Sequence, residues 1–208
     1  RALSQIAAKT DAQLNILEVG CGNGQNCPNL QKSHPNAKFT GIDFIEEMIE
    51  AAKSLKMEHC IPDEKLIFQV GNVLDLSLPT ESYDVIFTDR CLINLNSDEL
   101  QQQAISSLAK LLKPNGHLLM IENCQNTYEK QNKARELVGL PRRSPAEFNH
   151  FFNEETLLPF LPTVDLALLD IEDFISLHDL MLYVLIPMTN GGSIEYDHPL
   201  VAAATQLN

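Results

Sequence analysis

The chain has 208 residues, of which 44% are hydrophobic and 21% are charged, and its formal net charge at pH 7 is -13. This length and composition predict one globular domain with a sizeable buried core. The excess of acidic residues argues against a nucleic-acid partner, because a phosphate backbone is bound by clustered lysines and arginines. The longest apolar run, residues 180–188, is too short to span a bilayer.

The cysteines bear on the compartment and on metal binding. All five are scattered along the chain, and no two form a C-x-x-C pair. An odd number of cysteines without a disulfide framework indicates a reducing compartment, and no secretory segment is visible at the start, so a cytoplasmic location is expected. No pair of cysteines or histidines has the spacing of metal ligands, so no metal site is predicted. The sequence begins with Arg1 rather than Met, which leaves open what precedes it.

Strands and helices alternate through the first part of the chain. The pattern predicts, in order, a strand over 14–19, a helix over 25–33, a strand over 38–43, an amphipathic helix from residue 45, strands over 66–70 and 83–88, a capped helix from 97 to 112 and a strand over 117–122. Strands separated by helices imply a parallel sheet with helices on both faces.

The alternation loosens after residue 125. Helices are predicted over 127–138 and 154–160, with a loop of basic and aromatic residues over 141–152 between them. Residues 164–171 and 181–186 have the pattern of two further strands. Their connection, residues 172–180, is short, so the two strands are expected to be antiparallel to each other. A loop and a short closing helix are expected from residue 188 onward.

A glycine-rich turn follows the first predicted strand. Glycines at positions 20, 22 and 24 allow the backbone to approach a ligand closely, and the helix that follows directs free N–H groups towards that ligand. A dinucleotide-binding fingerprint would need glycine at position 25, which is Gln25. With Glu18 before it, this G-x-G-x-G turn resembles motif I of class I S-adenosylmethionine (SAM) methyltransferases, in which the turn holds the methionine end of SAM.

Side chains at the ends of the second and third predicted strands fit the same ligand. Asp43 closes the second strand, at the sheet edge where doubly wound folds bind ligands, and its carboxylate could accept both hydroxyls of a ribose. Phe44 could lie against a base, and Met48 either lines that pocket or belongs to the core. Asn72 could accept a hydrogen bond from the adenine amine, or it could simply form a turn.

Two further motifs extend the resemblance. Residues 83–87, Y-D-V-I-F, resemble the family's fourth strand, beyond whose end cofactor and substrate lie. Arg90, just past that end, either clamps a carboxylate or phosphate or pairs with Asp89. Residues 111–118 resemble the family's L-K-P-G-G turn before the fifth strand.

Four motifs in the family's order, over residues 14–123, identify the chain as a member of the class I methyltransferases. The resemblance implies a Rossmann-like, doubly wound α/β sheet of seven strands, mostly parallel, with an antiparallel C-terminal strand pair. It also implies SAM as the cofactor. The residues assigned to SAM are Glu18, Gly20, Cys21, Gly22, Gly24, Asp43, Phe44, Met48, Asn72, Val73 and Asp89. Short motifs at 90–95, 122–123, 139–141, 149–152 and 197–199 further resemble a bacterial branch that accompanies polysaccharide and natural-product clusters.

Catalysis of methyl transfer depends largely on positioning, because the SAM sulfonium is already electrophilic and the displacement is in-line. An oxygen acceptor of high pKa would also need a base. His150 is assigned as this base and Arg90 as a second catalytic residue. Glu122 and His178 are the alternative bases.

We therefore predict one SAM-binding domain over residues 1–208, with residues 125–163 as a substrate cap. Its expected reaction is methyl transfer from SAM to a small molecule, at oxygen in preference to nitrogen or carbon. Arg90 and the adjacent Arg142 and Arg143 leave open an anionic acceptor, for which Arg90 or Arg142 would be the clamp. An NAD-dependent oxidoreductase, a non-catalytic SAM-binding module and an aminopropyl transferase remain as alternatives, and the sequence does not fix the oligomeric state.

Overall fold

The computed structural model describes residues 2–173 and 177–206. At its centre is a five-stranded sheet in the order β3-β2-β1-β4-β5, in which every neighbouring pair is parallel. The strands are β1 (Asn15–Val19), β2 (Lys38–Asp43), β3 (Leu66–Val70), β4 (Tyr83–Asp89) and β5 (Leu112–Ile121). The strand order reverses between β1 and β4, and in such sheets ligands bind outside the carboxyl ends of the strands at that point.

Helices complete the fold. The α-helices are α1 (Ala2–Ala7), α2 (Asn26–Ser33), α3 (Glu46–Glu58), α4 (Asp98–Leu111), α5 (Gln125–Leu137), α6 (Glu154–Phe160), α7 (Leu177–Leu180), α8 (Ile186–Thr189) and α9 (Pro199–Gln206). A π-helical segment, Met181–Leu185, joins α7 to α8, and 3-10 turns lie at Leu92–Asn94 and Leu161–Val164. None of the helices described is long and apolar enough to cross a membrane.

The central strands are apolar on both faces. Ile16 of β1 and Val85 of β4 lie in one core cluster, whereas their neighbours Leu17 and Ile86 lie in a second, and all four are fully buried. Successive strand side chains point to opposite faces of a sheet, so the two clusters are its two faces. Continuous apolar runs of this kind are typical of parallel strands covered by helices on both sides.

The elements predicted up to residue 122 are confirmed within a few residues. Ser97 caps α4 as expected, since its hydroxyl oxygen accepts the N–H of Leu100 at 3.3 Å. The helix ends at Leu111, and β5 begins at the next residue rather than at residue 117. Asn115 has a φ of +64°, the left-handed conformation that asparagine tolerates in turns.

The antiparallel strand pair is wrong, because the described residues form five strands and not seven. Residues 166–173 have no regular secondary structure, and the segment predicted as a strand over 181–186 is helical. Leu182 and Ile186, one helical turn apart, pack together with Val201 of α9. A short, continuously apolar run does not distinguish a buried strand from a buried helix. Part of the predicted connection, residues 174–176, lies outside the described residues.

The segment 125–163 contains both predicted helices, as α5 and α6. Its second half packs against the 3-10 turn that follows β4 and against α4, since Phe151 and Leu157 join Leu92 and Ile105 in a third core cluster. The N–H of Phe152 also donates to the carbonyl of Asn123, just beyond β5, at 3.0 Å. The segment therefore lies beside the carboxyl ends of β4 and β5.

Candidate functional site

The glycine-rich turn after β1 uses most of its N–H groups within the protein. Gly20 and Cys21 donate to the carbonyl of Ile42 at 2.8 and 2.9 Å, and Gly24 donates to the carbonyl of Cys21 at 2.9 Å. Gly22 donates to Oδ2 of Asp43 at 2.8 Å. Phosphate-binding turns instead leave such N–H groups free for the anion, so this turn is poorly suited to a pyrophosphate.

The three glycines meet different surroundings. A Cβ atom on Gly20 would lie 2.4 Å from the sulfur of Cys91, and one on Gly24 would lie 2.7 Å from the Cβ of Ala52. A Cβ on Gly22 would meet no atom within 4 Å, and its φ is +52°. Packing therefore requires glycine at positions 20 and 24, whereas Gly22 alone borders open space where a ligand could lie.

Asp43 connects the turn to the end of β2. Its Oδ2 accepts the N–H of Gly22, and its Oδ1 accepts the N–H of Ile45 at 3.0 Å. Asp43 remains partly exposed. A carboxylate offers about four lone-pair sites, so capacity remains on both oxygens for the hydroxyls of a ribose.

Glu18 lies beneath the turn and is 1% exposed. It accepts hydrogen bonds from Nδ2 of Asn26 at 2.8 Å and from the thiol of Cys27 at 2.9 Å. Burial raises the pKa of Glu18 to about 7; the hydrogen bonds from Cys27 and Asn26 oppose this rise, and the charges of Asp89 and Asp43 add to it. Glu18 therefore anchors the start of α2, and three carboxyl groups converge around the turn.

The side chains assigned to the adenosine surround the end of β2. Phe44 is 71% exposed and Met48 is 41% exposed, so Met48 is not a core residue. The side-chain oxygen of Asn72 accepts the N–H of Leu74 at 3.0 Å, so Asn72 forms the turn that the sequence left open as one of its two roles. Its amide oxygen has a second lone pair, which is available for the adenine amine. Val73 is partly buried and packs against two core clusters. Cys21 is buried, and its side chain belongs to the core.

Glu122 organises the segment that follows β4. Its Oε1 accepts the hydroxyl of Thr88 at 2.6 Å and the N–H groups of Cys91 and Leu92 at 3.2 and 3.1 Å, while Oε2 accepts the N–H of Ile93 at 3.3 Å. Burial raises the pKa of Glu122, and these hydrogen bonds oppose the rise. Because both oxygens are occupied, Glu122 is better suited to positioning this turn than to acting as a base.

Arg90 occupies a left-handed backbone position, with a φ of +50°. Its side chain is 74% exposed, and its Nε lies 3.6 Å from Oδ1 of Asp89. The sequence left open two roles for Arg90, an anion clamp and an ion pair with Asp89, and the structure contains the ion pair.

His150 lies over the 3-10 turn that follows β4. Its backbone N–H donates to the carbonyl of Ile93 at 2.7 Å, and its Nε2 lies 2.6 Å from Oδ1 of Asp98, the first residue of α4. Thr156 donates to the other oxygen of Asp98 at 2.7 Å. The hydrogen bonds from Thr156 and His150 lower the pKa of Asp98. The structure thus joins His150 to an ionised carboxylate, a partner that the sequence prediction did not include.

His178, an alternative base, is far in the sequence from His150 and Asp98, which together form the His150 dyad. It lies in α7, and its Nδ1 is 3.2 Å from Oδ1 of its neighbour Asp179. In the part of the chain that the structure describes, no cluster of three or more His, Cys, Asp or Glu side chains is arranged to hold a metal ion.

Comparison with known proteins agrees with this architecture. The family model described as "Methyltransferase domain" matches residues 10–156, which is more than half of the chain. The chain belongs to this family. The resemblance read from the four sequence motifs is thereby confirmed, and with it SAM as the cofactor.

Individual relatives resemble only part of the chain. The probable methyltransferase ltbC of Aspergillus luteorubrus is 31% identical over 107 residues, which cover 50% of this chain and 38% of that protein. The O-methyltransferase resE of Aspergillus sclerotiorum is 25% identical over 142 residues, covering 66% of this chain and 52% of that protein. The chain thus spans about half or less of these two curated relatives.

A solved structure extends the similarity to the whole fold. The crystal structure of the YcgJ protein from Bacillus subtilis aligns with 98% of this chain and 81% of its own, with a TM-score of 0.63 and 19% sequence identity. At this level of identity the match shows a shared fold.

Proposed function

We propose that this methyltransferase domain transfers the methyl group of SAM to an oxygen atom of a small molecule. SAM would supply an electrophilic methyl group on a sulfonium, and the chain would bind it at the glycine-rich turn and at Asp43. The O-methyltransferase resE, 25% identical to this chain, supports oxygen as the methylated atom.

The electrostatics of the turn carry this proposal. Val19, at the end of β1, pairs with Ile42 of β2 and with Thr88 of β4, so Asp43 and Asp89, which follow these two residues, lie on either side of the turn. Such a negative site attracts the sulfonium and ammonium charges of SAM and repels the pyrophosphate of a dinucleotide. The internal hydrogen bonds of the turn act in the same direction, because they leave few N–H donors for a phosphate.

The dyad of His150 and Asp98 supports a base at the acceptor site. An ionised carboxylate can only accept hydrogen bonds, so Nε2 of His150 carries the proton directed at Oδ1 of Asp98. In the neutral form of the ring, Nδ1 has a lone pair that could take the proton of an acceptor hydroxyl as the methyl group is transferred. Asp98 would fix the tautomer and orientation of the ring, and it would stabilise the imidazolium that forms.

This function is tested by incubating the protein with SAM and separate pools of phenols, alcohols and amines, and measuring S-adenosylhomocysteine (SAH) by mass spectrometry. We expect SAH to accumulate with a hydroxyl compound that gains a single methyl group. SAH binding without turnover in any pool would contradict the proposal and favour a non-catalytic SAM-binding module. Turnover confined to the amine pool would contradict oxygen as the acceptor atom.

A further inference from the structure

A cavity of about 420 Å³ lies between α5 and the loop over residues 141–151. Its lining includes Tyr128, Glu129, Arg142, Arg143, His150 and Phe151. The backbone N–H of His150 donates to Ile93 in the turn that follows β4, so the cavity reaches that turn at His150. His150, the proposed base, therefore borders both this cavity and the segment that follows β4.

The two adjacent arginines of the cavity differ in their charge balance. Arg142 forms ion pairs with Glu129 and Glu136, the second at 3.3 Å. These two carboxylates raise the pKa of Arg142, so its charge is compensated on the protein itself. Arg142, one of the two clamps predicted from the sequence, is thus already occupied.

The charge of Arg143 is not compensated in this way. Its Nη1 donates to the neutral side chain of Gln131 at 3.0 Å, and its guanidinium lies 4.0 Å from the ring centroid of Tyr183 and 5.8 Å from that of Tyr128. Over residues 2–173 and 177–206, no carboxylate forms an ion pair with it. Stacking on Tyr183 uses the face of the guanidinium, and in the described part of the chain only its Nη1 forms a side-chain hydrogen bond.

A second arginine strengthens the positive charge. Arg135 is 2% exposed, and it donates to the backbone carbonyls of Pro141, at 2.9 Å, and of Tyr183. Burial lowers the pKa of Arg135, and the charge of Arg143 lowers it further. Arg135 likewise forms no ion pair with a carboxylate of the described chain. Burying a cation without an opposite charge is costly, and it is unexpected in a protein whose net charge is -13.

The cavity is built to hold Arg143 in place. Asn132, which is buried, bonds both backbone groups of Arg143: its Nδ2 donates to the carbonyl at 3.0 Å, and its Oδ1 accepts the N–H at 2.8 Å. Tyr128 packs edge-on against Phe151, with ring centroids 4.9 Å apart. The Tyr128 hydroxyl is buried and forms no hydrogen bond in the described structure.

We propose that this cavity binds a carboxylate or phosphate group of the methyl acceptor, with Arg143 as the residue that contacts it. The inference rests on the proposed function, because it places the acceptor next to His150. Arg143 would receive the anion at the free edge of its guanidinium, since arginine binds carboxylate and phosphate oxygens in a fork. Arg135 would add positive charge from behind. Tyr128 and Phe151 would contact the apolar body of the acceptor, as is usual for small-molecule sites.

The test uses three small probes and a pair of matched variants. Calorimetry measures the binding of benzoate, phenyl phosphate and the neutral benzamide to the wild type, to Arg143→Gln and to Lys110→Gln, which removes an exposed positive charge at the end of α4, outside the cavity. We expect benzoate or phenyl phosphate to bind the wild type and Lys110→Gln alike, and to bind Arg143→Gln at least about 10-fold more weakly. The relative affinities of the two anions show which group the site prefers, and benzamide should bind the wild type at least about 10-fold more weakly than the better anion.

Two results would overturn the anion site: neither anion binds the wild type, or Arg143→Gln binds both as well as the wild type does. If Arg143→Gln does not fold, Arg143→Lys replaces it; this variant keeps the charge but loses the fork, so weaker binding is expected and unchanged binding would contradict the proposal. SAH titrated into the same proteins separates the two hypotheses. SAH binding without anion binding removes only the anion site, whereas anion binding that depends on Arg143 without SAH binding removes only the proposed function.

Discussion

Asp43 holds the glycine-rich turn by accepting the N–H of Gly22 at 2.8 Å, while its other oxygen accepts the N–H of Ile45. The bond to Gly22 connects the turn after β1 to the carboxyl end of β2 and holds the Asp43 carboxylate beside Gly22. Asp43 therefore shapes the turn, and we propose that it also accepts hydrogen bonds from the ligand.

Replacing Asp43 should weaken SAM binding. Asp43→Ala removes a charge-assisted acceptor, so SAH affinity measured by calorimetry should fall by about 1–3 kcal/mol. Asp43→Asn keeps an acceptor for the turn but loses the negative charge, so its SAH affinity should lie between those of the alanine variant and the wild type. Wild-type affinity in both variants would remove Asp43 from the cofactor site.

Gly22 can be tested against a glycine of equal freedom elsewhere in the chain. Gly22 and Gly191 have φ angles of +52° and +78°, and a Cβ on either would meet no atom within 4 Å. Asparagine tolerates this conformation, so Gly22→Asn and Gly191→Asn should have similar melting temperatures. Only Gly22→Asn should lose SAH affinity, by 10-fold or more, because its side chain enters the ligand's space. Equal SAH affinity in the two variants would show that the turn is purely structural.

The His150 dyad predicts separate effects on turnover and on binding. His150→Ala should lower turnover with a hydroxyl acceptor by about 10²- to 10⁴-fold while SAH affinity stays unchanged. Asp98→Asn should lower turnover less, because the ring remains but its orientation and charge support are lost. Glu58→Gln, at an exposed position at the end of α3, provides the control. Full turnover in His150→Ala would leave positioning alone as the source of catalysis.

Glu18 should make folding stability fall as pH rises. Its pKa is raised from 4.5 to about 7 in the folded protein, so between these values the folded state binds more protons than the unfolded state. Linkage then requires the free energy of unfolding to decrease with pH across this range, by about 3 kcal/mol for a shift of this size. In denaturant titrations at pH 4.5, 6 and 7.5, the free energy of unfolding of Glu18→Gln should lack this pH-dependent decrease. If the free energies of unfolding of the two proteins changed with pH in parallel, the raised pKa of Glu18 would be contradicted.

Local sequence patterns predicted most of the fold because each parallel strand contains a short apolar run that is bounded by glycine, proline or acidic residues. The same reasoning failed at residues 181–186, where the choice between strand and helix depended on packing against α9 rather than on the run itself. The prediction that residues 125–163 cover the acceptor remains a proposal.

The candidate site was only partly visible in the sequence. Asp43 could be found because it closes a strand at the edge where ligands bind. Asp98 has the pattern of a helix-start residue, and its contact with His150 depends on long-range folding. Arg142 and Arg143 are equivalent in the sequence, and the structure distinguishes them because Glu129 and Glu136 pair with Arg142, whereas Arg143 stacks on Tyr183.

The central claim is that the acidic, glycine-rich turn binds SAM and not a dinucleotide. It is tested most directly by calorimetric titration of the wild-type protein with SAM and, separately, with NAD. We expect a micromolar dissociation constant for SAM, equivalent to about −8 kcal/mol, and no measurable binding of NAD, whose pyrophosphate would meet the carboxylates of Asp43 and Asp89 and few free N–H donors. Tight binding of NAD without binding of SAM would contradict the account.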